Sequence, residues 1–306
     1  MIAEPALLVE RVGVLVTVQD LGRPGYAHLG VTRSGAADRA AFRRANRLVG
    51  NHQSAAALEV TLGGLSVLAL AELTIAVTGA SCPVTLDGRV AANEAVIDVP
   101  TGGQLDLGPA AAGLRAYLAV RGGVQVDPVL GSRASDTLSG LGPRALRAGD
   151  VVPIGGADSP DLARWPRIAQ VPVAALPDPL DVVALDAVPG PRADWLDAAG
   201  TATLWQTTWV VSAQSNRVGL RCEGPVVTRA VTDELPSEGL VRGAIQVPPS
   251  GQPVVFLADH PVTGGYPVAA VLHDEHVDAA AQLRPGQRFR LHHRPQDSRR
   301  IAPTPR

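Results

Sequence analysis

The sequence contains no lysine, and all 27 of its basic side chains are arginine. A nucleotide-binding P-loop needs a Lys beside the terminal phosphates. A pyridoxal enzyme needs a Schiff-base Lys, and a biotin carrier needs a Lys to bear the biotin. The chain can be none of the three. Cysteine is nearly as scarce: Cys82 and Cys222 are the only two, and they match no zinc-binding spacing. One pair cannot staple a chain of 306 residues, so reduced thiols in the cytoplasm are the expectation. A net charge of −2 leaves no electrostatic footprint for nucleic acid or an anionic membrane. No targeting segment is expected either, because Glu4 and Glu10 stand where a signal peptide would be positive. The most apolar stretch, residues 65–77, is broken by Glu72 and is too short to span a bilayer. A soluble chain is expected.

What is abundant points to strands. Apolar residues make up 46% of the chain, against 32 Gly and 26 Pro, which suits a large core divided among short strands and tight turns. Runs rich in Val, Leu and Ile predict strands at 12–18, 65–70, 73–78, 114–120, 209–213, 254–258 and 288–291. Two helices are predicted. One, at 38–49, sets Phe42, Ala45 and Val49 on one face and Arg39, Arg43 and Arg47 on the other, and stops at Gly50-Asn51. The second, at 274–283, ends before Pro285-Gly286.

A proline-rich stretch with little periodicity, holding Pro160, Pro166, Pro172, Pro177 and Pro179, divides the chain. The halves on either side echo each other. I-x-V-P-x-x-G-Q occurs at 97–104 and again at 245–252. Gly122-Gly123 is matched by Gly264-Gly265, and Leu146-Arg147-Ala148-Gly149 by Leu283-Arg284-Pro285-Gly286, in the same order. This is the trace expected of a duplicated domain. The predicted organisation is an N-terminal β-barrel-like domain at 1–157, a connection at 158–180, a C-terminal β-barrel domain at 181–294 and a tail at 295–306.

Three constellations could carry chemistry. Asp20-Leu21-Gly22-Arg23-Pro24-Gly25 holds an acid and a guanidinium in a rigid turn, suited to a carboxylate or phosphate, or else simply closed by an Asp20–Arg23 pair. Arg33-Ser34-Gly35-Ala36-Ala37-Asp38 leads into the first helix, with backbone amides open to an anion or capped by Ser34 or Asp38. In the second half, Asp259-His260 runs into Thr263-Gly264-Gly265-Tyr266. There His260 could trade protons and the glycines let backbone approach a ligand. His273 and His276 share a helix face, but no third ligand stands at a matching spacing, so no metal is assigned.

Blocks spanning nearly the whole chain resemble one family. T-V-Q-D-L-G-R-P-G-Y at 17–26, S-G-A-A-D at 34–38, N-R-L-V-G-N at 46–51 and A-L-E-V-T-L-G-G at 57–64 open the match. The blocks at 120–142, 215–221, 237–253 and 259–267 continue it in order. They are similar to the second subfamily of carboxyltransferase-domain proteins, which takes in the C subunit of 5-oxoprolinase, the Kip antagonist and the protein long labelled allophanate hydrolase subunit 2.

The resemblance implies a mainly β chain of two tandem cyclophilin-like β-barrel domains with a few short helices. It implies an obligate partner, the Kip inhibitor-like B subunit. Together with the A subunit, the complex would open 5-oxo-L-proline to L-glutamate, using ATP with Mg2+. Two alternatives are a regulatory protein antagonising a Kip-type kinase inhibitor and the carboxyltransferase half of a biotin-dependent urea or guanidine carboxylase. In the latter, biotin would ride on another chain. Within the matched blocks, Arg23, Arg33, Arg121 and Arg217 are candidates for binding carboxylate and phosphate. His260 with Asp259 and Asp20 would move protons, and Asn216 and Gln246 would orient the substrate with Ser34, Thr263, Gly264, Gly265 and Tyr266. One departure stands out: the family's D-H-Q-T-T-G-G-Y-P reads D-H-P-V-T-G-G-Y-P here, with Pro261 and Val262 in place of Gln and Thr.

Overall fold

Short apolar runs punctuated by glycine turns become strands along the whole chain, and only three α-helices interrupt them among the described residues. A computed structural model describes residues 4–156, 158–162 and 176–295. Most of the predicted connection (163–175) and the tail from 296 onward lie outside the described residues.

In the first half the elements run β1 (Glu4–Arg11), β2 (Leu15–Gln19), α1 (Arg39–Leu48), β3 (Ala57–Thr61), β4 (Leu65–Ala69), β5 (Leu73–Ser81) and β6 (Val84–Leu86). They continue through β7 (Arg89–Ala91), β8 (Val96–Val99), β9 (Gln104–Leu107), β10 (Ala112–Val120) and β11 (Val151–Ile154). These strands form a sheet in the order β11-β1-β4-β9-β6-β7 and a second in the order β2-β3-β10-β5-β8. The two share one apolar core, with Val9, Val67 and Leu105 from the first meeting Val18, Leu58 and Leu118 from the second. Burial of this cluster is the main favourable term for this half.

The second half comprises β12 (Val182–Pro189), α2 (Ala198–Gln206), β13 (Thr208–Val211), β14 (Gly219–Glu223), β15 (Glu238–Gly239), β16 (Ala244–Gln246) and β17 (Val254–Phe256). It ends with β18 (Thr263–Gly264), β19 (Val268–Leu272), α3 (Asp274–Ala280) and β20 (Arg288–His293). Seven of these strands close into a barrel, β12-β19-β16-β17-β14-β13-β20, sealed by the parallel pairing of β12 with β20. Closure leaves this ring without a free strand edge. Trp209, Ile245, Val255 and Phe289 fill its interior. The mainly β architecture is as expected, with the first half laid out as two sheets around one core and the second as a closed ring. Helix α2 was not expected, since Ala-Ala-Gly-Thr-Ala-Thr carries no apolar stripe. Asp197 caps it, accepting from the Gly200 amide at 2.6 Å.

Two of the three sequence echoes fall on matching turns, whereas Gly122 and Gly123 are left-handed (φ +95° and +70°) and Gly264 and Gly265 are not. The Gly103 amide donates to the Pro100 carbonyl at 2.9 Å, and the Gly251 amide donates to Pro248 at 2.9 Å. Gly149 and Gly286 both take left-handed conformations, φ +89° and +83°. The amide after each donates back to Arg147 or Arg284, and the glycine amide itself donates to the neighbouring strand, Val9 or Val211. Each turn delivers the chain into the last strand of its half.

Helix α1 lies against β5 and β10, with Phe42 edge-on to Tyr117 at 6.0 Å between ring centroids. Its N-terminus meets α3 from the other half, where Asp278 accepts from the amides of Arg39 (2.9 Å) and Ala40 (3.2 Å). Gln282 completes the junction: its Oε1 accepts from the Leu114 and Arg115 amides, both at 2.9 Å. Its Nε2 donates to Asp38 at 2.7 Å and to the Arg115 carbonyl at 2.9 Å. Arg284 adds bonds to the carbonyls of Gly113 and Ala110, both 2.6 Å.

Candidate functional site

The seam between the halves is built on charge. Arg217 enters it from the loop before β14 and is buried. Its Nε and Nη2 grip Asp259 at 2.9 and 3.0 Å, its Nη1 donates to Glu59 on β3, and Nη2 also donates to the Gly35 carbonyl at 2.6 Å. Glu59 accepts further from Tyr117 Oη (2.8 Å) and the Ala37 amide (3.0 Å), with Arg115 Nε of β10 at 3.6 Å. Asp259 accepts from Ser34 Oγ at 2.6 Å, from the Thr137 amide at 2.9 Å and from Thr137 Oγ1 at 2.7 Å.

Burial alone would raise the pKa of both carboxyls, but the arginines and the hydrogen bonds outweigh it and hold both below the usual range. Arg217 is held charged in return. Buried ions are tolerable only when paired this fully. Asp259 therefore has no lone pair left for proton transfer, and it serves here to position Arg217, Ser34 and the segment that carries His260.

His260 is buried at the same seam. Its Nδ1 lies 2.7 Å from the Pro261 carbonyl. A carbonyl can only accept, so Nδ1 carries the proton and Nε2 presents its lone pair. Burial pushes the pKa below the ordinary 6.5, and the charges of Arg242 and Arg39 push it further down against the opposing pull of Pro261 and Asp259. The ring is neutral at pH 7 and stands beside Phe256, 6.2 Å between centroids.

Phe256 opens onto a cleft of about 340 Å3 on the barrel face, shared by Asn216, Arg221, Gln246, Leu138 and Tyr266. Two side-chain amides in it have fixed orientations. Asn216 Oδ1 accepts from the Val218 amide at 2.8 Å, which leaves Nδ2 as a donor. Gln246 Nε2 donates to the Tyr266 carbonyl at 2.9 Å, which leaves Oε1 as an acceptor. The β15–β18 ribbon, with Thr263 and Gly264, folds over this edge. Any Cβ on Gly264 would come within 2.8 Å of Gln246 Nε2, so glycine is what lets the ribbon close down.

Sequence reasoning missed four members of the seam: Glu59, Arg115, Arg39 and Arg242. Arg242 is fastened to α3 through Asp274 (2.6 Å) and Asp278 and to the Ala37 carbonyl (2.8 Å). Arg39 stands beside it, and burial with the charges of Arg242 and Arg33 pushes its pKa down to about 10.

Other candidates fall elsewhere. Asp20 does not pair with Arg23: it accepts from the Gly22 amide, Ser132 Oγ and the Arg133 amide, each at 2.7 Å, and so ties two loops together. Arg23 is buried, with Nε and Nη2 on the carbonyls of Val129 and Ala134 and Nη1 without a partner among the described residues. Arg121 donates to the Val49 carbonyl at 2.8 Å, at the opposite end of β10 from Arg115 and roughly 20 Å away at strand rise. The amides of residues 36–41 are not open to an anion, because Asp20, Glu59, Tyr117, Asp278 and Asp38 accept from them. Asp38 is the helix cap. It is pushed up to about 6 by burial and by Asp278.

The chain is 38% identical to the C subunit of 5-oxoprolinase from Escherichia coli over 284 residues, covering 92% of this chain and 89% of that protein. Among solved structures, TTHA0988 superposes with a TM-score of 0.83 at 35% identity over 94% of this chain. The urea amidolyase of K. lactis superposes with a TM-score of 0.84 at 31% identity over 95% of it. The chain spans 56% of TTHA0988 and 19% of the urea amidolyase, so both are longer proteins that contain a module of this kind. The model of the carboxyltransferase domain, subdomains A and B, matches residues 29–293, and the chain belongs to that family.

Proposed function

We propose that the chain is the C subunit of a multi-component, ATP-dependent 5-oxoprolinase, acting with A and B subunits on 5-oxo-L-proline. The observation that carries this reading is the pairing of Asn216 Nδ2 and Gln246 Oε1 around one cleft, whose wall residue Phe256 packs against the His260 ring. A lactam is a cis amide and presents its N–H and C=O side by side, so a donor and an acceptor facing one cleft complement it. The apolar wall of Phe256 and Val254 suits the ring carbons.

His260 Nε2 then takes a proton from the water that adds to the lactam carbonyl carbon. When the ring C–N bond breaks, that proton passes to the departing nitrogen. Opening an unstrained lactam needs activation; ATP would supply it by phosphorylating the amide oxygen with release of ADP, and the acyl phosphate left after C–N cleavage would be hydrolysed by a second water to glutamate and phosphate. Among the described residues no three His, Cys, Asp or Glu are grouped to hold a metal ion. The α1 amides are filled as well, and no step is routed through a metal nucleotide on this chain.

Pro261 and Val262 act here through their carbonyls, which accept from His260 Nδ1 and from the Leu240 amide. A side chain without an amide or hydroxyl at these two positions is compatible with both roles. The test is ATP-dependent glutamate release from 5-oxo-L-proline by the chain co-purified with its B subunit, the A subunit being supplied. Turnover that vanishes when this chain is omitted supports the assignment, and a well-formed complex without turnover sinks it. The likeness to urea amidolyase supports a second reading, since ureas present the same adjacent donor and acceptor. In that case the complex would carboxylate them when given a biotin-bearing partner.

A further inference from the structure

Arg39, Arg242 and Arg33 crowd the first turn of α1 at the seam, where the helix dipole already places positive charge. Arg39 is only 11% exposed, yet its guanidinium donates no hydrogen bond to any described residue. Its ion-pair partner, Asp274, lies 3.9 Å away and is already held by Arg242 at 2.6 Å. Arg242 is 7% exposed and its Nε is buried without an acceptor. Arg33 is exposed at the rim, with a single backbone bond to Leu21 at 3.2 Å. Against these three cations stand Asp278, already bound to Arg242 and two helix amides, and Asp274, whose side chain is 78% exposed. A guanidinium removed from water without an acceptor is costly, and like charges alongside make it more so.

We infer that Arg39, flanked by Arg33 and Arg242, is the subsite for an oxyanion of the ligand handled at His260, a carboxylate or a phosphate. Arg242 is fixed by its acids and holds the local field, while Arg39 keeps its planar fork of donors for bidentate recognition. The position next to His260 rests on the proposed function only for the identity of the ligand. The subsite itself stands on a guanidinium that is 11% exposed and makes no hydrogen bond to any described residue. A carboxylate would come from the substrate and a phosphate from the nucleotide.

The experiment uses the full chain in its complex and titrates 5-oxo-L-proline, 2-pyrrolidinone (the same lactam without the carboxylate) and inorganic phosphate by calorimetry. Arg39→Gln is compared with Arg43→Gln, an exposed position on the same helix. Binding of 5-oxo-L-proline that weakens about ten- to a hundredfold in R39Q, with R43Q unchanged and 2-pyrrolidinone indifferent to either, assigns the site to the substrate carboxylate. Phosphate binding that R39Q abolishes, with 5-oxo-L-proline unaffected, assigns it to the nucleotide. If R39Q binds every probe as the parent does, the inference is wrong, even if the complex still makes glutamate. Circular dichroism of R39Q checks folding, and Arg39→Lys, which keeps the charge and loses the fork, is expected to recover part of the affinity.

Discussion

Two sets of charges lie within the same seam and behave differently. Around Arg217 every carboxylate oxygen has a partner, and two acids are held ionised out of reach of water. Around Arg39 the donors are in excess, a guanidinium goes unmatched, and the adjacent imidazole is held neutral. In the first arrangement the carboxylates are saturated, and the one buried donor left over, Arg115 Nε, sits 3.6 Å from Glu59, so it holds the halves together. The second is unsaturated and so has capacity left for a ligand. Charged residues of the same types serve both roles, and the number of unfilled bonds tells them apart.

The contrast breaks most visibly at Arg217. Arg217→Met strands Glu59 and Asp259 without a countercharge and should cost about 3–5 kcal/mol, read from the urea midpoint, or prevent soluble folding. The triple change R217M/E59Q/D259N should recover part of that loss, and an R217M protein as stable as the parent would show that the network is not a clamp. Next is His260→Gln, for which kcat of the assembled enzyme should fall about 10²–10⁴-fold while the melting temperature barely moves. The parent's kcat/KM should decline only below the ordinary 6.5 of histidine, because the fold lowers this pKa, and the variant should lose that limb.

Asp38 gives a smaller effect with a defined sign. Its pKa rises from 3.8 in the unfolded chain to about 6, so the folded state binds more protons between those values. Stability from this group is full below pH 3.8 and is lost as pH rises toward 6. The loss amounts to about 3 kcal/mol at most. Asp38→Asn should flatten that part of the stability profile, and an unchanged slope would place the titration elsewhere. His260 acts in the opposite sense, its contribution growing as pH rises toward 6.5. The smallest effects are at Gly149→Ala and Gly286→Ala. A Cβ at either meets nothing, so only the left-handed backbone is penalised. The cost is about 1 kcal/mol, alike in both halves. A large difference between the two would argue that the shared turns are not equivalent.

Much of the architecture was legible because alternation and turns are local. Strands β4, β5, β10 and β20 and helix α1 fall where Val-Leu runs and the Gly50-Asn51 stop placed them. The turn echoes were legible too, since left-handed glycines leave sequence marks. Closure of the barrel by parallel pairing of β12 with β20 was not, because it joins strands about a hundred residues apart.

In the site, the region of His260, Gln246 and Asn216 could be singled out by residue type, but the partner of Asp259 could not. Arg217 reaches Glu59 across 158 residues of sequence. The one local clue was an acid in the apolar run Ala57-Leu58-Glu59-Val60, matched by Arg115 in Leu114-Arg115-Ala116-Tyr117. A charge in a strand buried on both faces has to find its opposite. Arg39 read as the solvent side of α1 because the period of one helix carries no information about α3 packing on it.

Gln282 has a consequence for how this chain can drift. Its single planar amide accepts from two amides of β10 on one side and donates to Asp38 and a β10 carbonyl on the other. Glutamate lacks the donors, asparagine lacks the reach, and a basic residue lacks the acceptor. The two halves can diverge in sequence and in sheet closure as far as their separate cores allow. The position that joins them has almost no neighbouring amino acid to move to, which makes it a natural marker for relatives whose halves are locked in this same register.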